Sequence, residues 1–192
     1  MLTLLVVVAS TRPGRVGASV GRWITSAAER HGAFRVTVGD LAAVNLPLLD
    51  EPAHPRLHQY THDHTKTWSG LVSAADAFVF VVPEYNYFAP ATLVNAIDYL
   101  YHEWHYKPAA FVSYGGASGG VRSVQAIKPL LTSVSVMPLS TAVAIPFVSQ
   151  HLNDARDFAA TEQHEQAATA MLDELRRWAA ALVSMREPTS RR

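Results

Sequence analysis

Two periods of apolar residues alternate along this chain. Ala77-Phe78-Val79-Phe80-Val81-Val82 has no polar break, the pattern of a strand covered on both faces in a parallel sheet. Residues 2–8, 34–38 and 108–113 are further short strand-like runs, and residues 134–138 with 143–145 supply a last strand in broken form. Between them the spacing changes to three and four. Val20, Trp23, Ile24, Ala27 and Ala28 share one stripe of a helix predicted over residues 17–31, and Trp68, Leu71 and Val72 share another over 65–76. Leu93, Ala96, Ile97, Leu100 and Trp104 mark a helix over 90–104. Val121, Val124, Ile127 and Leu131 mark the next, which Pro129 should kink or shorten. Ala168, Met171, Leu172, Leu175, Trp178 and Leu182 mark a final helix over 161–184. Residues 41–50 read as a loop with apolar contacts from Leu46, Leu48 and Leu49. The alternation predicts an α/β sandwich around a five-stranded parallel sheet.

The stretch from Pro83 to Asp98 carries most of the information. Pro83 cannot donate to a ladder, Glu84-Tyr85-Asn86-Tyr87 is polar and aromatic, and Pro90 stands where a helix would start. That places a loop at the carboxyl end of a central strand, where open parallel sheets bind ligands. With strand order 2-1-3-4-5, this loop and the one after the first strand meet at the topological switch point. The first loop, residues 9–17, holds Ser10, Thr11, Arg12, Arg15, Val16 and Gly17 ahead of a helix N-terminus, a setting that favours a phosphate. A solvated strand-to-helix turn is the plain alternative. The loop matches neither the dinucleotide glycine fingerprint nor the P-loop pattern. A third loop, residues 113–120, follows the fourth strand and is rich enough in glycine for backbone to approach a ring edge.

Composition narrows the classes. At 192 residues the chain fits one domain, read as residues 1–186, with 187–192, rich in Pro, Ser and Arg, expected to fray. There is no cysteine, which removes disulfides, thiolate metal sites and cysteine nucleophiles and is compatible with the cytoplasm. Sixteen basic and 16 acidic residues give zero formal charge, so neither nucleic acid nor an anionic membrane is an expected partner. The apolar run at residues 2–9 is far shorter than the ~20 residues a membrane helix needs and has no basic flank; it reads as a first strand rather than a signal. His54, His58, His62 and His64 cluster in a Pro-rich surface segment. They read as structural or solvated, with metal binding the alternative, and the expected metal set is empty. His102-Glu103-Trp104-His105 lacks the spacing of a zinc-protease helix and reads as a helix end.

Several motifs together resemble a known family. Ser10-Thr11-Arg12, Leu46-Pro47-Leu48-Leu49-Asp50-Glu51-Pro52, Pro83-Glu84-Tyr85-Asn86-Tyr87 with Pro90 and Asn95-Ala96-Ile97-Asp98, and Ser113-Tyr114-Gly115-Gly116 are similar to the NADPH-dependent FMN reductases, which include azo and quinone reductases. The resemblance spans residues 2–138. It implies a flavodoxin-like three-layer sandwich with bound FMN and NADPH or NADH as hydride donor. It implies that Ser10, Arg12 and the backbone of Arg15, Val16 and Gly17 hold the FMN phosphate. Pro83, Glu84, Tyr85, Asn86 and Tyr87 would lie along the isoalloxazine, and Ser113, Tyr114, Gly115, Gly116 and Ala117 at its other edge. It further implies a homodimer or homotetramer with the helix after the central motif at the interface. Three positions depart from the family's pattern. Val94 stands for a common lysine and bears on the interface, Gly17 stands for a phosphate-binding serine, and Phe88 stands for a small residue and narrows the substrate space.

The implied reaction passes hydride from the nicotinamide to the flavin and then to an acceptor such as a quinone, an azo compound or free flavin. The cofactor carries that chemistry, so no catalytic acid or base is assigned. Two rival classes exist. Gly116-Ala117-Ser118-Gly119-Gly120 satisfies the G-x-S-x-G pattern of a serine hydrolase, with Asp154 or Asp157 and His164 downstream. That reading lacks an oxyanion segment and leaves residues 83–98 unexplained. A flavodoxin-like electron carrier or flavin sensor is the other class, and carriers of this fold tend to be acidic where this chain is neutral.

Overall fold

The computed structural model describes residues 1–186; the expected frayed tail, 187–192, lies outside them. Strands β1 (Leu2–Val8), β2 (Phe34–Asp40), β3 (Ala77–Pro83), β4 (Pro108–Tyr114), β5 (Met137–Pro138) and β6 (Val143–Ile145) are joined by α1 (Gly17–His31), α2 (Leu41–Val44), α3 (Asp63–Ser73), α4 (Ala91–Asp98) and α5 (Val121–Ser133), with α6 (Glu162–Arg186) last. All strand pairs are parallel, in the order β2-β1-β3-β4-β5, and β6 also pairs with β4. The fifth strand is therefore broken, as its sequence suggests. β5 continues the ladder at Pro108–Ala109, and β6 rejoins it at Val112 to Tyr114.

Alternation along the strands divides the core into two layers. Leu5 and Val7 of β1 and Phe78, Phe80 and Val82 of β3 point toward α3, α4 and α5, where Trp68, Leu93, Ile97, Ile127 and Leu131 cover them. Leu4 and Val6 of β1 and Val79 and Val81 of β3 point toward α1 and α6, against Val20, Ile24, Met171, Leu172 and Leu175. This is the three-layer flavodoxin-like sandwich. α1 ends where Gly32 adopts φ 74° and its N–H returns to Glu29 O at 3.2 Å, a turn that a Cβ would strain.

Several boundaries differ from the periodicity. The loop expected over residues 41–50 begins with the short helix α2, because the Asp40 carboxylate caps it by accepting from Ala42 N at 3.1 Å. The helix expected over 90–104 ends at Asp98, and residues 102–104 form a separate 3-10 turn. That turn brings Glu103 inward to accept from Ser69 Oγ at 2.6 Å, while Trp104 Nε1 donates to Ile97 O at 3.1 Å. Burial opposes the charge on Glu103, yet its hydrogen bonds, led by Ser69, hold the carboxyl below its usual range. Pro129 does not end α5, which continues to Ser133. Val121 of the predicted stripe is exposed at the first position of that helix. Among the described residues no helix is long and apolar enough to cross a membrane.

The Trp104 ring lies 5.0 Å from Phe78, 6.0 Å from Trp68 and 6.3 Å from Phe80, and is fully buried. Trp104→Ala is expected to cost about 3–5 kcal/mol of folding stability, measurable by urea unfolding.

Candidate functional site

The carboxyl ends of β1, β3 and β4 open on one cavity of about 330 Å³. Ser10, Arg12, Arg15 and Val16 line it from the first loop, Pro83, Glu84 and Tyr85 from the second, and Tyr114 and Gly115 from the third. Gly17 lies against the Tyr114 ring at the start of α1. Asn86, Tyr87, Ser113, Gly116 and Ala117 are outside the cavity's lining.

Arg15 fixes the shape of the first loop. Its guanidinium makes two 2.6 Å bonds to the Asp40 carboxylate and a third, also 2.6 Å, to Ser10 O. A bidentate pair of this kind largely neutralises its charge. Arg12 is exposed on the same loop, where the 3.1 Å bond from Arg15 N to Arg12 O closes a turn. Val16 occupies the N-cap of α1 and supplies no capping side chain. The amino end of α1 therefore faces the cavity with its dipole uncompensated by a side-chain acceptor.

The second loop is a tight hairpin. Tyr85 N donates to Phe88 O at 2.9 Å and Phe88 N to Tyr85 O at 3.0 Å, with Asn86 and Tyr87 at φ 49° and 69° between them. These are the positive angles of a type I′ turn; Asn tolerates one readily, whereas Tyr bears a steric cost. Arg122 compensates, with its Cζ 4.0 Å from the centre of the Tyr87 ring and its Nε donating to Glu84 at 2.7 Å. Tyr85 turns inward, where its hydroxyl shares a 2.8 Å hydrogen bond with Ser10 Oγ. Thr92 Oγ1 donates to Ala9 O at 2.7 Å and ties the start of α4 to the end of β1.

Glu84 also couples the second loop to the third. Ser118 Oγ donates to its carboxylate at 2.6 Å, and Glu84 N donates to Tyr114 O at 3.2 Å. Arg122 holds the Glu84 carboxyl below its usual range; burial works against this and Ser118 reinforces it. Ser113 is buried and donates to Gly119 O at 2.8 Å, so it shapes the third loop from within. At Gly120, with φ 81°, a Cβ would meet Tyr114 N at 2.7 Å and Tyr114 O at 2.8 Å; only glycine fits.

Two further lining residues, Val148 and Arg156, come from the segment between β6 and α6. Val148 N donates to Gly115 O at 3.1 Å and Phe147 N to Gly116 O at 2.9 Å, which carries that segment across the mouth. Sequence reasoning missed it, because residues 146–161 have no regular apolar period. Its turn residues, Pro146, Asn153 and Asp154, were the available signal.

Residues 2–150 match the family model described as NADPH-dependent FMN reductase. The chain belongs to this family. A NAD(P)H-dependent FMN reductase of Schizosaccharomyces pombe is 42% identical over 119 residues, 61% of this chain and 60% of that protein's length. A quinone reductase of Pseudomonas putida is 32% identical over 136 residues, 67% of this chain and 69% of the relative. The solved structure of FerB, a flavoenzyme NAD(P)H:(acceptor) oxidoreductase from Paracoccus denitrificans, superposes with a TM-score of 0.74 at 20% identity, covering 94% of this chain and 98% of that one.

FMN is the cofactor of the family, and the residues of this cavity fit its phosphate end. A helix amino end without a side-chain cap, an exposed arginine and a buried, unpartnered Tyr114 hydroxyl are a donor set that needs an anionic acceptor. The hydrolase alternative does not assemble. Ser118 bonds to Glu84, Asp157 to Arg22, and His164 Nδ1 to Thr161 at 3.1 Å.

Arg122→Ala is expected to loosen the Tyr85–Phe88 hairpin, so that amide exchange at Tyr87 and Phe88 quickens several-fold while β3 exchange is unchanged. Because the Glu84 carboxyl is lowered in the fold, its tie is complete above the ordinary value of 4.5 and is lost as pH falls through the lowered one. The stability difference between wild type and this variant should shrink over that acid range in pH-dependent urea unfolding.

Proposed function

We propose that this protein is an FMN-dependent NAD(P)H oxidoreductase that delivers reducing equivalents to a quinone or another planar acceptor. The single observation carrying the reading is the convergence of the β1, β3 and β4 loops on one cavity with a donor-rich phosphate end. Bound FMN would supply hydride acceptance and donation; the chain supplies position and electrostatics. Ser10, Arg12 and the backbone of Arg15, Val16 and Gly17 hold the phosphate. The Arg15 side chain, paired with Asp40, acts by shaping that backbone. Pro83, Glu84, Tyr85, Asn86 and Tyr87 would flank the ring on one side and the backbone of Tyr114 with Gly115, Gly116 and Ala117 on the other, with Ser113 setting the loop.

No side chain is assigned as acid or base. With FMN bound, the backbone N–H groups of the glycine-rich loop would supply fixed donors along the edge of the ring. Tyr87, 67% exposed, and Phe88, 47% exposed, offer apolar faces beside the site that suit a flat acceptor. Leu48, Leu49 and Phe88 are exposed around α4, which supports a homodimer or homotetramer packed on that helix. A cytoplasmic setting agrees with the cysteine-free composition.

Freshly purified protein should be yellow or should bind added FMN, and should oxidise NADPH or NADH with a quinone present and no other protein. A carrier of the same fold would be slow without a separate reductase, and a colourless protein that refuses FMN would remove the proposal. Arg12→Ala should raise the FMN dissociation constant roughly tenfold, as expected for loss of a charged hydrogen bond, and leave turnover at saturating FMN within about twofold. Full flavin content with turnover nearly abolished would contradict this division of labour.

A further inference from the structure

The Tyr114 hydroxyl sits in the space where a side chain at position 17 would begin. A Cβ on Gly17 would overlap that hydroxyl, and it would also approach Tyr114 Cζ at 3.4 Å and Ser10 Cβ at 3.5 Å. Tyr114 itself is only 6% exposed, and its hydroxyl has no hydrogen-bond partner among the described residues. Ser10 Oγ is close by but is engaged with Tyr85. Burial pushes the Tyr114 phenol up and the neighbouring Tyr85 reinforces it, outweighing the opposing pull of Ser10 and Arg15, so the group remains a protonated donor.

An unpartnered buried hydroxyl is costly, and its location restricts what can satisfy it. It stands at the first turn of α1, where the N-cap residue Val16 offers no side-chain acceptor to the helix N–H groups. The helix N–H groups and a phenolic O–H buried in the wall of the same cavity are all donors. Their shared complement is an acceptor with several oxygens and negative charge. We propose that the Tyr114 hydroxyl, reaching from the end of β4 across the glycine at position 17, is a phosphate ligand for FMN. Gly17 is then a glycine so that a hydroxyl from another strand can occupy the place of its own side chain. Building on the FMN reading above, this adds a specific ligand that separates phosphorylated from unphosphorylated flavin.

The test compares FMN with riboflavin, which lacks the phosphate, by flavin fluorescence quenching. Tyr114→Phe should raise the FMN dissociation constant roughly tenfold, the scale of a hydrogen bond to a charged group, and change that for riboflavin by less than about twofold. Because the hydroxyl has no partner among the described residues, the variant without ligand should melt no lower than wild type. An unchanged FMN constant, or equal weakening of both flavins, would overturn the proposal. A second pair separates the hydroxyl from the shape of the ring: in the Tyr114→Phe background, Gly17→Ser should recover most of the FMN affinity and Gly17→Ala none. Equal FMN binding by those two would refute it as well. Folded wild-type protein that bound riboflavin and FMN alike would refute the phosphate ligand and leave the flavin reading standing, whereas failure to bind either would dispose of both.

Discussion

The ladder that joins β1, β3 and β4 is the constraint on which this protein depends. β3 is hydrogen-bonded on both edges and apolar on both faces, so its seven residues are all buried. Such a strand has one stable environment, the middle of a covered parallel sheet. Fixing it there sets β1 and β4 beside it in parallel, and parallel neighbours end at the same edge. Three chain segments with no sequence adjacency must therefore leave the sheet together. The site is a consequence of this strand alignment before any ligand chemistry is considered.

The loops then need rigidity that the ladder cannot supply, because each has left its hydrogen-bonded neighbours. Ion pairs and side-chain bonds take over at this point. Arg15 links the first loop to the end of β2 through Asp40, and Glu84 gathers the second and third loops through Arg122 and Ser118. Tyr85 joins the first and second through Ser10. Each tie spans two elements, so the three loops hold one another's geometry. A tyrosine at φ 69° in the hairpin is compatible with that arrangement because Arg122 lies over its ring. Backbone strain of this kind persists where the surroundings over-determine the conformation.

The charges also explain which groups remain available. Of the two arginines in the first loop, Arg15 is committed to Asp40 and Arg12 is exposed. The serine in the glycine-rich loop is committed to Glu84, which accounts for a G-x-S-x-G pattern without hydrolase geometry. Motif matching assigns that serine a nucleophile's chemistry, and the neighbouring carboxylate decides otherwise.

Hydrophobic period and turn chemistry were enough to locate the strands, five of the six α-helices, the broken last strand and the three loops after β1, β3 and β4, because those signals are set by residues a few positions apart. The combined motifs also pointed to the family. What the sequence alone did not contain was every pairing that depends on where distant elements meet: Arg15 with Asp40, Ser10 with Tyr85, Tyr114 over Gly17, and the aperiodic 146–161 segment at the cavity mouth. The early end of α4 belongs with them, since Glu103 and Trp104 turn inward to partners on α3 and α4 rather than follow a helical period. Periodicity is a property of the local chain, whereas the partner of a buried charge or hydroxyl is chosen by topology, and only the folded sheet brings the two within reach.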